Sequence, residues 1–264
     1  MSQKQFKKKI LGPSYRKFVR PVIQKYKIKK ISNSKIRKFQ DNLKDIKLIA
    51  FIQIHNEHKK GNLERVLNHL SKFCNDIVIY DDGSTDGSYE IALKYTSNII
   101  RSDVNDFENE IEHKQQLLDL ALSLNPDWIV WLDADEVFDR DGELYAIRNL
   151  CRYGESKKID GFSFQEFNLW KSSSEYRVDE NWHKLWQIRL WKNNGELRFE
   201  KQTGLHKKIH PNGMKKICKS DVKIIHFGFS DKDKIDDKYQ MYKKHGQTGW
   251  MLERIKDEKN VELK

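Results

Sequence analysis

The sequence predicts an α/β protein: a mostly parallel sheet flanked by helices, followed by a smaller half of mixed strands. Three observations carry this. From Lys47 to Leu132, short apolar runs alternate with stretches of helical period, the pattern of a parallel sheet covered on both faces. Three of the apolar runs end in polar clusters, at 53–57, 81–86 and 133–136, where open parallel sheets bind ligands. After Val137 the segments become alternating and aromatic-rich, which suits antiparallel or mixed strands.

The elements follow in order. Lys47 to Ile54 (KLIAFIQI) is short, apolar and β-branched, and polar His55-Asn56-Glu57-His58 follows, so it reads as a buried strand. Leu63, Val66, Leu67 and Leu70 have helical spacing within Asn62 to Phe73. Asp76 to Tyr80 (DIVIY) is a second buried strand, Ser88 to Tyr95 a helix, and Asn98 to Arg101 a short third strand. Ile111 to Leu124 is amphipathic through Leu117, Leu118, Ala121, Leu122 and Leu124, and Pro126 stops it. Trp128 to Leu132 (WIVWL) is a fourth buried strand. Gly161 to Trp170 and Leu185 to Trp191 are the mixed strands, Asn193-Asn194-Gly195 a turn, Lys223 to Phe229 a last strand, and the charged tail from Asp231 is helical.

The 264 residues suit one α/β domain with extensions, or two small domains. Residues 1–47 hold 16 Lys and Arg against Asp41 and Asp45, so this arm is +14 in a chain of +11, and the remainder is −3. The basicity belongs to the arm. It supports a membrane-surface anchor, nucleic-acid contact or a solvated helical extension. No nucleic-acid motif accompanies the charge, so a nucleic-acid partner is not expected. Cys74, Cys151 and Cys218 are odd in number and widely spaced, without a metal or disulfide framework. No run approaches the ~20 apolar residues that span a bilayer, and no signal peptide is evident. The expected place is cytoplasmic and not secreted, with peripheral membrane contact through 1–46 as one option.

Two acidic clusters carry the chemistry. Asp133 and Asp135 sit two residues apart where a strand ends, so they can converge on a hard cation such as Mg²⁺ or Mn²⁺. The competing reading is a solvated turn whose acids cap the next helix. In Asp81-Asp82-Gly83-Ser84-Thr85-Asp86-Gly87 the glycines permit a sharp turn or close approach. A carboxylate there can accept from a base N–H or ribose hydroxyls, and an ordinary strand-to-helix turn is the alternative.

IQIHNE, IVIYDDGSTDGS and WIVWLDADEVF, in this order and spacing, resemble the family 2 glycosyltransferases. More narrowly they resemble the branch of lipopolysaccharide-core β-glucosyl- and heptosyltransferase-like proteins. The likeness covers residues 47–140 and continues loosely through RLWKNNGELRF and IIHFGF. It implies a GT-A fold and a nucleotide-diphosphate-sugar donor, a UDP-sugar favoured, in a nucleotide-sugar half (47–140) and an acceptor half (141–230) of one domain. A basic extension (1–46) precedes this domain, and a helical tail (231–264) follows it. By position, Gln53, His55 and Glu57 would line the nucleoside pocket, Asp82 would bond the base and Asp81 would support it. Lys114 would lie near the nucleotide. Asp133 would hold the ribose or the metal, Asp135 the metal, and Glu136 would cap or position the site. His226 would face the metal or diphosphate, and a core histidine is the competing reading.

The expected reaction is displacement at an anomeric carbon by an acceptor hydroxyl, with inversion. A carboxylate then acts as general base, and Glu166 is the candidate, a surface glutamate on an edge strand being the alternative. The resemblance implies an acid right after His206, where this chain has Lys207, which leaves the base and the acceptor open. His206 and His210 flank Lys207-Lys208, which could meet phosphates or form a plain surface loop. Trp170, Trp182, Trp186 and Trp191 could stack on a saccharide acceptor, although a core role is commoner. The rival classes are a nucleotidyltransferase and a non-catalytic nucleotide- or membrane-binding module. The first lacks a Gly-rich basic loop after the first strand, and intact Asp133 and Asp135 oppose the second.

Overall fold

The computed structural model describes residues 45–139, 145–179, 182–200, 210–244, 246, 252–253, 255 and 261–264. The arm 1–44 and His206-Lys207-Lys208 lie outside them.

Four strands, β1 (Leu48–Ile54), β2 (Asp76–Asp82), β3 (Ile99–Ser102) and β4 (Trp128–Trp131), pair in parallel in the order β3-β2-β1-β4. The helices α1 (Leu63–Ser71), α2 (Ser88–Ala92) and α3 (Glu110–Ser123) connect them. Even positions of β1 (Leu48, Ala50, Ile52, Ile54) pack with Leu63, Val66, Leu67 and Leu70 of α1. Odd positions (Ile49, Phe51) pack with Leu117, Leu118 and Ala121 of α3. Both faces of β1 are therefore covered, which is why its apolar run shows no alternation.

The sheet continues without a break into the second half. β6 (Gly161–Asn168), β7 (Trp186–Lys192), β8 (Ile217–His226) and the short β5 (Glu136–Phe138) extend it as β4-β7-β6-β8-β5. The β4·β7, β6·β7 and β5·β8 pairs are antiparallel, and β6·β8 is parallel. This eight-stranded sheet agrees with the α/β arrangement expected from the sequence. Three elements differ from expectation. The last strand starts at Ile217, six residues earlier than its apolar run, because polar Lys219 and Asp221 alternate with buried Cys218, Ser220 and Val222. The strand β5 and the helix α4 (Tyr145–Lys157) were not anticipated. α4 carries Ile147, Leu150 and Cys151 into the α1-side core. The tail does form a helix, α5 (Lys232–Lys244).

The order β2-β1-β4 brings the carboxyl ends of β1, β2 and β4 to one edge, with the chain reversing direction across the sheet at β1. Such a switch point opens a crevice for a ligand.

Candidate active site

At the end of β2, Asp81 and Asp82 are buried, 0% and 1% exposed. The Asp82 carboxylate accepts from Asn105 Nδ2 (2.8 Å), the Asp106 amide (2.9 Å) and Ser102 Oγ (3.3 Å). The Asp81 carboxylate accepts from the Ser84 amide (3.2 Å) and lies 3.2 Å from Arg101 Nε. Gly83 has φ +66, and a Cβ there would stand 2.5 Å from the Val104 carbonyl carbon. Only glycine accepts both conditions, so the 103–106 segment lies directly on the turn.

The loop after β1 is fastened to the same turn. His55 Nδ1 donates to the Asp82 carbonyl (2.6 Å), and Asn56 Nδ2 donates to His55 Nε2 (3.1 Å). Together these select the neutral imidazole with its proton on Nδ1. Thr85 donates its amide to Asn56 Oδ1 (2.8 Å), and the Glu57 and His58 amides donate to Ser88 Oγ (2.9 and 3.0 Å). Asp86 accepts from the Ser88 and Lys59 amides (3.0 Å each). Gln53 is half-buried at the end of β1, opposite Tyr80. Most polar groups of IQIHNE and DDGSTDGS thus hold each other.

The end of β4 is built differently. Glu136 accepts from the Asp133 amide (3.0 Å). Arg189 on β7 donates one Nη2 to both Asp133 Oδ2 (2.6 Å) and Glu136 Oε1 (2.7 Å). Its guanidinium carbon lies 3.9 Å from the Trp131 ring centre, and Lys114 Nζ lies 4.4 Å from the same ring. Lys114 is buried and paired with Glu110. Arg189 is 2% exposed, yet its Nε and Nη1 have no hydrogen-bond partner among the described residues. Burial pushes the Glu136 carboxyl up to about 8, with Asp133 and Glu166 adding to the rise against Arg189.

Asp135 faces the opposite way. Its Oδ2 accepts from Lys238 Nζ of α5 (2.9 Å) and lies 3.2 Å from His226 Nε2. Lys238 Nζ is also 2.9 Å from His226 Nε2. His226 Nδ1 is 2.5 Å from Asn168 Oδ1, because β6·β8 pairing sets these two residues opposite each other. Burial opposes ionisation of Asp135, but Lys238 and His226 outweigh it and hold the carboxyl well below the usual range. Burial likewise opposes the Lys238 charge, and Asp135 outweighs it, raising that ammonium. Glu57 is raised by burial and by the Asp135 charge, which ties the first cluster to this one.

Glu166 is 7% exposed on β6, an interior strand between β7 and β8. Its placement corrects the alternative of an edge-strand surface glutamate. It continues the row of Phe162 and Phe164, accepts from Gln187 Nε2 (3.1 Å) and lies 3.9 Å from His226 Nδ1. Trp191 belongs to the core, and Trp170 and Trp182 pack with Phe229. Trp186 keeps a partly exposed ring beneath Lys219 (4.0 Å). His210 is buried beside Pro211.

The structure thus brings Asp135, His226 and Glu166 together, with Glu57 beside Asp135, and sets Asp133 and Glu136 on Arg189. Asp82 and Asp81 line the neighbouring turn. Sequence reasoning missed Arg189 and Lys238. A lone arginine inside LWQIRLW was a signal, since a buried charge needs a partner. Lys238 is one of many lysines in the tail and has no local mark. The expected ligands Asp133, Asp135 and His226 do not converge as a set, because Asp133 turns to Arg189. Among the described residues no group of three or more His, Cys, Asp or Glu is placed to hold a metal. No helix among them is long and apolar enough to cross a membrane.

Comparison with solved structures finds distant likenesses. S. aureus TarS 1–349 in complex with UDP-GlcNAc is 17% identical over 52% of this chain and 38% of that chain, with TM-score 0.38. S. aureus TarS 1–349 is 12% identical over 80% and 68%, with TM-score 0.47. The mannosyltransferase PcManGT from Pyrobaculum calidifontis, in complex with GDP-Man and Mn²⁺, is 11% identical over 60% and 50%, with TM-score 0.37. The chain spans 39% of the length of the UDP-bound TarS structure. No curated protein matched the chain. The family profile "Glycosyl transferase family 2" matches residues 49–210, from inside β1 to beyond Arg189 and so through most of the crevice. This span covers more than half of the chain, which belongs to glycosyl transferase family 2.

Proposed function

We propose that this chain transfers a sugar from a nucleotide-diphosphate-sugar, a UDP-sugar favoured, to a hydroxyl acceptor with inversion. One observation carries the reading. Acids from the ends of β1, β4 and β6 lie with cations from β7 and α5 at the carboxyl-end side of the parallel strands. The nucleoside would lie along the 53–57 and 81–86 loops, with Asp82 holding the 103–106 segment that walls the pocket. Lys114 and Trp131 would lie behind the ribose beside Asp133. The departing diphosphate would meet the Asp135 end of the crevice. Glu166 would take the acceptor proton, since its buried carboxylate lies beside His226 and accepts from the neutral side chain of Gln187. The likeness to the lipopolysaccharide-core branch supports a saccharide acceptor, with Trp186 as its stacking surface.

The placement does not support the expected three-ligand metal site at Asp133, Asp135 and His226. Protein cations already neutralise the two aspartates, so no step is assigned to a metal.

A panel of nucleotide-sugars tests the reading by nucleoside diphosphate release, run with Mn²⁺ and again with EDTA. Release from at least one donor is expected, falling about 100-fold or more in Asp135→Ala. Glu166→Gln should lose about 100-fold in transfer to an acceptor while retaining more of its donor hydrolysis. No turnover and no thermal shift with any donor, under either condition, overturns the reading. Contact of residues 1–46 with anionic membranes is proposed from charge alone. Deleting residues 1–45 should weaken liposome flotation, and unchanged flotation rejects the contact.

A further inference from the structure

We propose that Lys238 is the resident cation of the diphosphate site. Its ammonium takes the place between Asp135 and His226 that a divalent ion would take, and binds the donor's diphosphate without added metal. This rests on the nucleotide-sugar reading and deepens it.

The ammonium is seated against the two residues. Lys238 Nζ is 2.9 Å from Asp135 Oδ2 and 2.9 Å from His226 Nε2. His226 Nδ1 stands 2.5 Å from Asn168 Oδ1, and its Nε2 stands 3.2 Å from Asp135 Oδ2. An ammonium carries three N–H donors. Asp135 accepts one, and the Phe229 ring centre lies 5.0 Å from Nζ. The Lys238 side chain keeps 21% exposure, so it can reach a ligand in the crevice.

The chain also makes room for this contact. Gly228 follows His226-Phe227, and a Cβ there would stand 2.1 Å from Lys238 Nζ and 2.7 Å from Asp135 Oδ2. The φ of Gly228 lies outside the left-handed region, so space for the lysine, and not backbone conformation, calls for glycine here. At the other aspartate Arg189 does the equivalent work, pairing Asp133 through Nη2 while Nε and Nη1 have no hydrogen-bond partner among the described residues. A divalent ion would reach Asp135 and His226 only by displacing Lys238.

The test uses the full chain and two probes, UDP and Mn²⁺. Calorimetry should show wild type binding UDP in EDTA. Lys238→Met should weaken that affinity about tenfold or more, the scale of one charge-assisted hydrogen bond. Lys238→Arg should restore part of it. Gly228→Ala, which expels the ammonium without removing any charge, should follow Lys238→Met. Free Mn²⁺ followed by electron paramagnetic resonance should bind Lys238→Met more tightly than wild type. Circular dichroism melts check that each variant is folded. UDP that binds wild type only with Mn²⁺ overturns the proposal and leaves the glycosyltransferase reading standing. Metal-free UDP affinity unchanged in both Lys238→Met and Gly228→Ala also overturns it. No UDP binding under either condition overturns both.

Discussion

The two acidic turns of this chain look alike in sequence and are opposite in construction. In the 81–86 turn Asp81 and Asp82 are buried and meet mainly neutral donors, namely the Ser84 and Asp106 amides, Ser102 and Asn105, with Arg101 as the charged neighbour of Asp81. In the 133–136 turn the carboxylates meet buried or half-buried cations delivered by distant elements, Arg189 and Lys238. A carboxylate saturated by its own loop is a structural group, because any ligand must break those bonds to reach it. A carboxylate balanced by a cation with spare N–H donors can share that cation with an incoming anion. The first turn thus shapes a pocket, and the second meets charge.

The comparison can be broken at either turn. The largest effect is expected from Asp135→Ala, which should cost donor turnover about 100-fold or more. Arg189→Met follows. It leaves the buried Glu136 and the half-exposed Asp133 without their shared donor, at a cost of about 1–3 kcal/mol, read by urea unfolding. A stable Arg189→Met would show that the 133–136 acids are solvated and unpaired. Asp82→Ala comes next. It frees the Asn105 and Asp106 donors at a cost of about 1–3 kcal/mol, and increased amide exchange should appear at 103–106. A loss of UDP affinity with unchanged stability and exchange would make Asp82 a ligand-reading group after all.

The smallest effect is a pH dependence. Glu136 binds its proton more tightly in the folded chain, with its value raised from 4.5 to about 8. Between those values the folded state holds more protons than the unfolded one, so stability falls as pH rises. The melting temperature should drop by a few degrees between pH 5 and pH 8, and Glu136→Gln should flatten that drop. An identical slope in the variant would assign the pH dependence to other groups.

Much of the donor side was legible. Runs such as FIQI, IVIY and WIVW mark buried strands because both of their faces are covered, and an apolar run is a local property. The acids at 81–86 and 133–136 were found because they follow those runs. Asp82's partners were less visible, since Asn105 and Asp106 lie 23 and 24 residues on, in a segment without period. His226 and Glu166 were candidates from the sequence. Their proximity follows from β6·β8 being parallel and side by side, which strand patterning does not specify. Helix α4 was passed over although its buried Ile147, Leu150 and Cys151 have helical spacing.

By itself, the sequence determined the strands, the side of the sheet where polar groups collect, and which acids stand there, because alternation and strand ends are written in neighbouring residues. Only the tertiary structure decided what those acids meet. Arg189 reaches Asp133 across 56 positions and Lys238 reaches Asp135 across 103. Such pairings depend on strand order and on where a C-terminal helix docks. Buried charges must be neutralised, yet that requirement does not say by which of the chain's many lysines and arginines. The fold made that choice when it set α5 against the end of β8, with Gly228 leaving space for the ammonium.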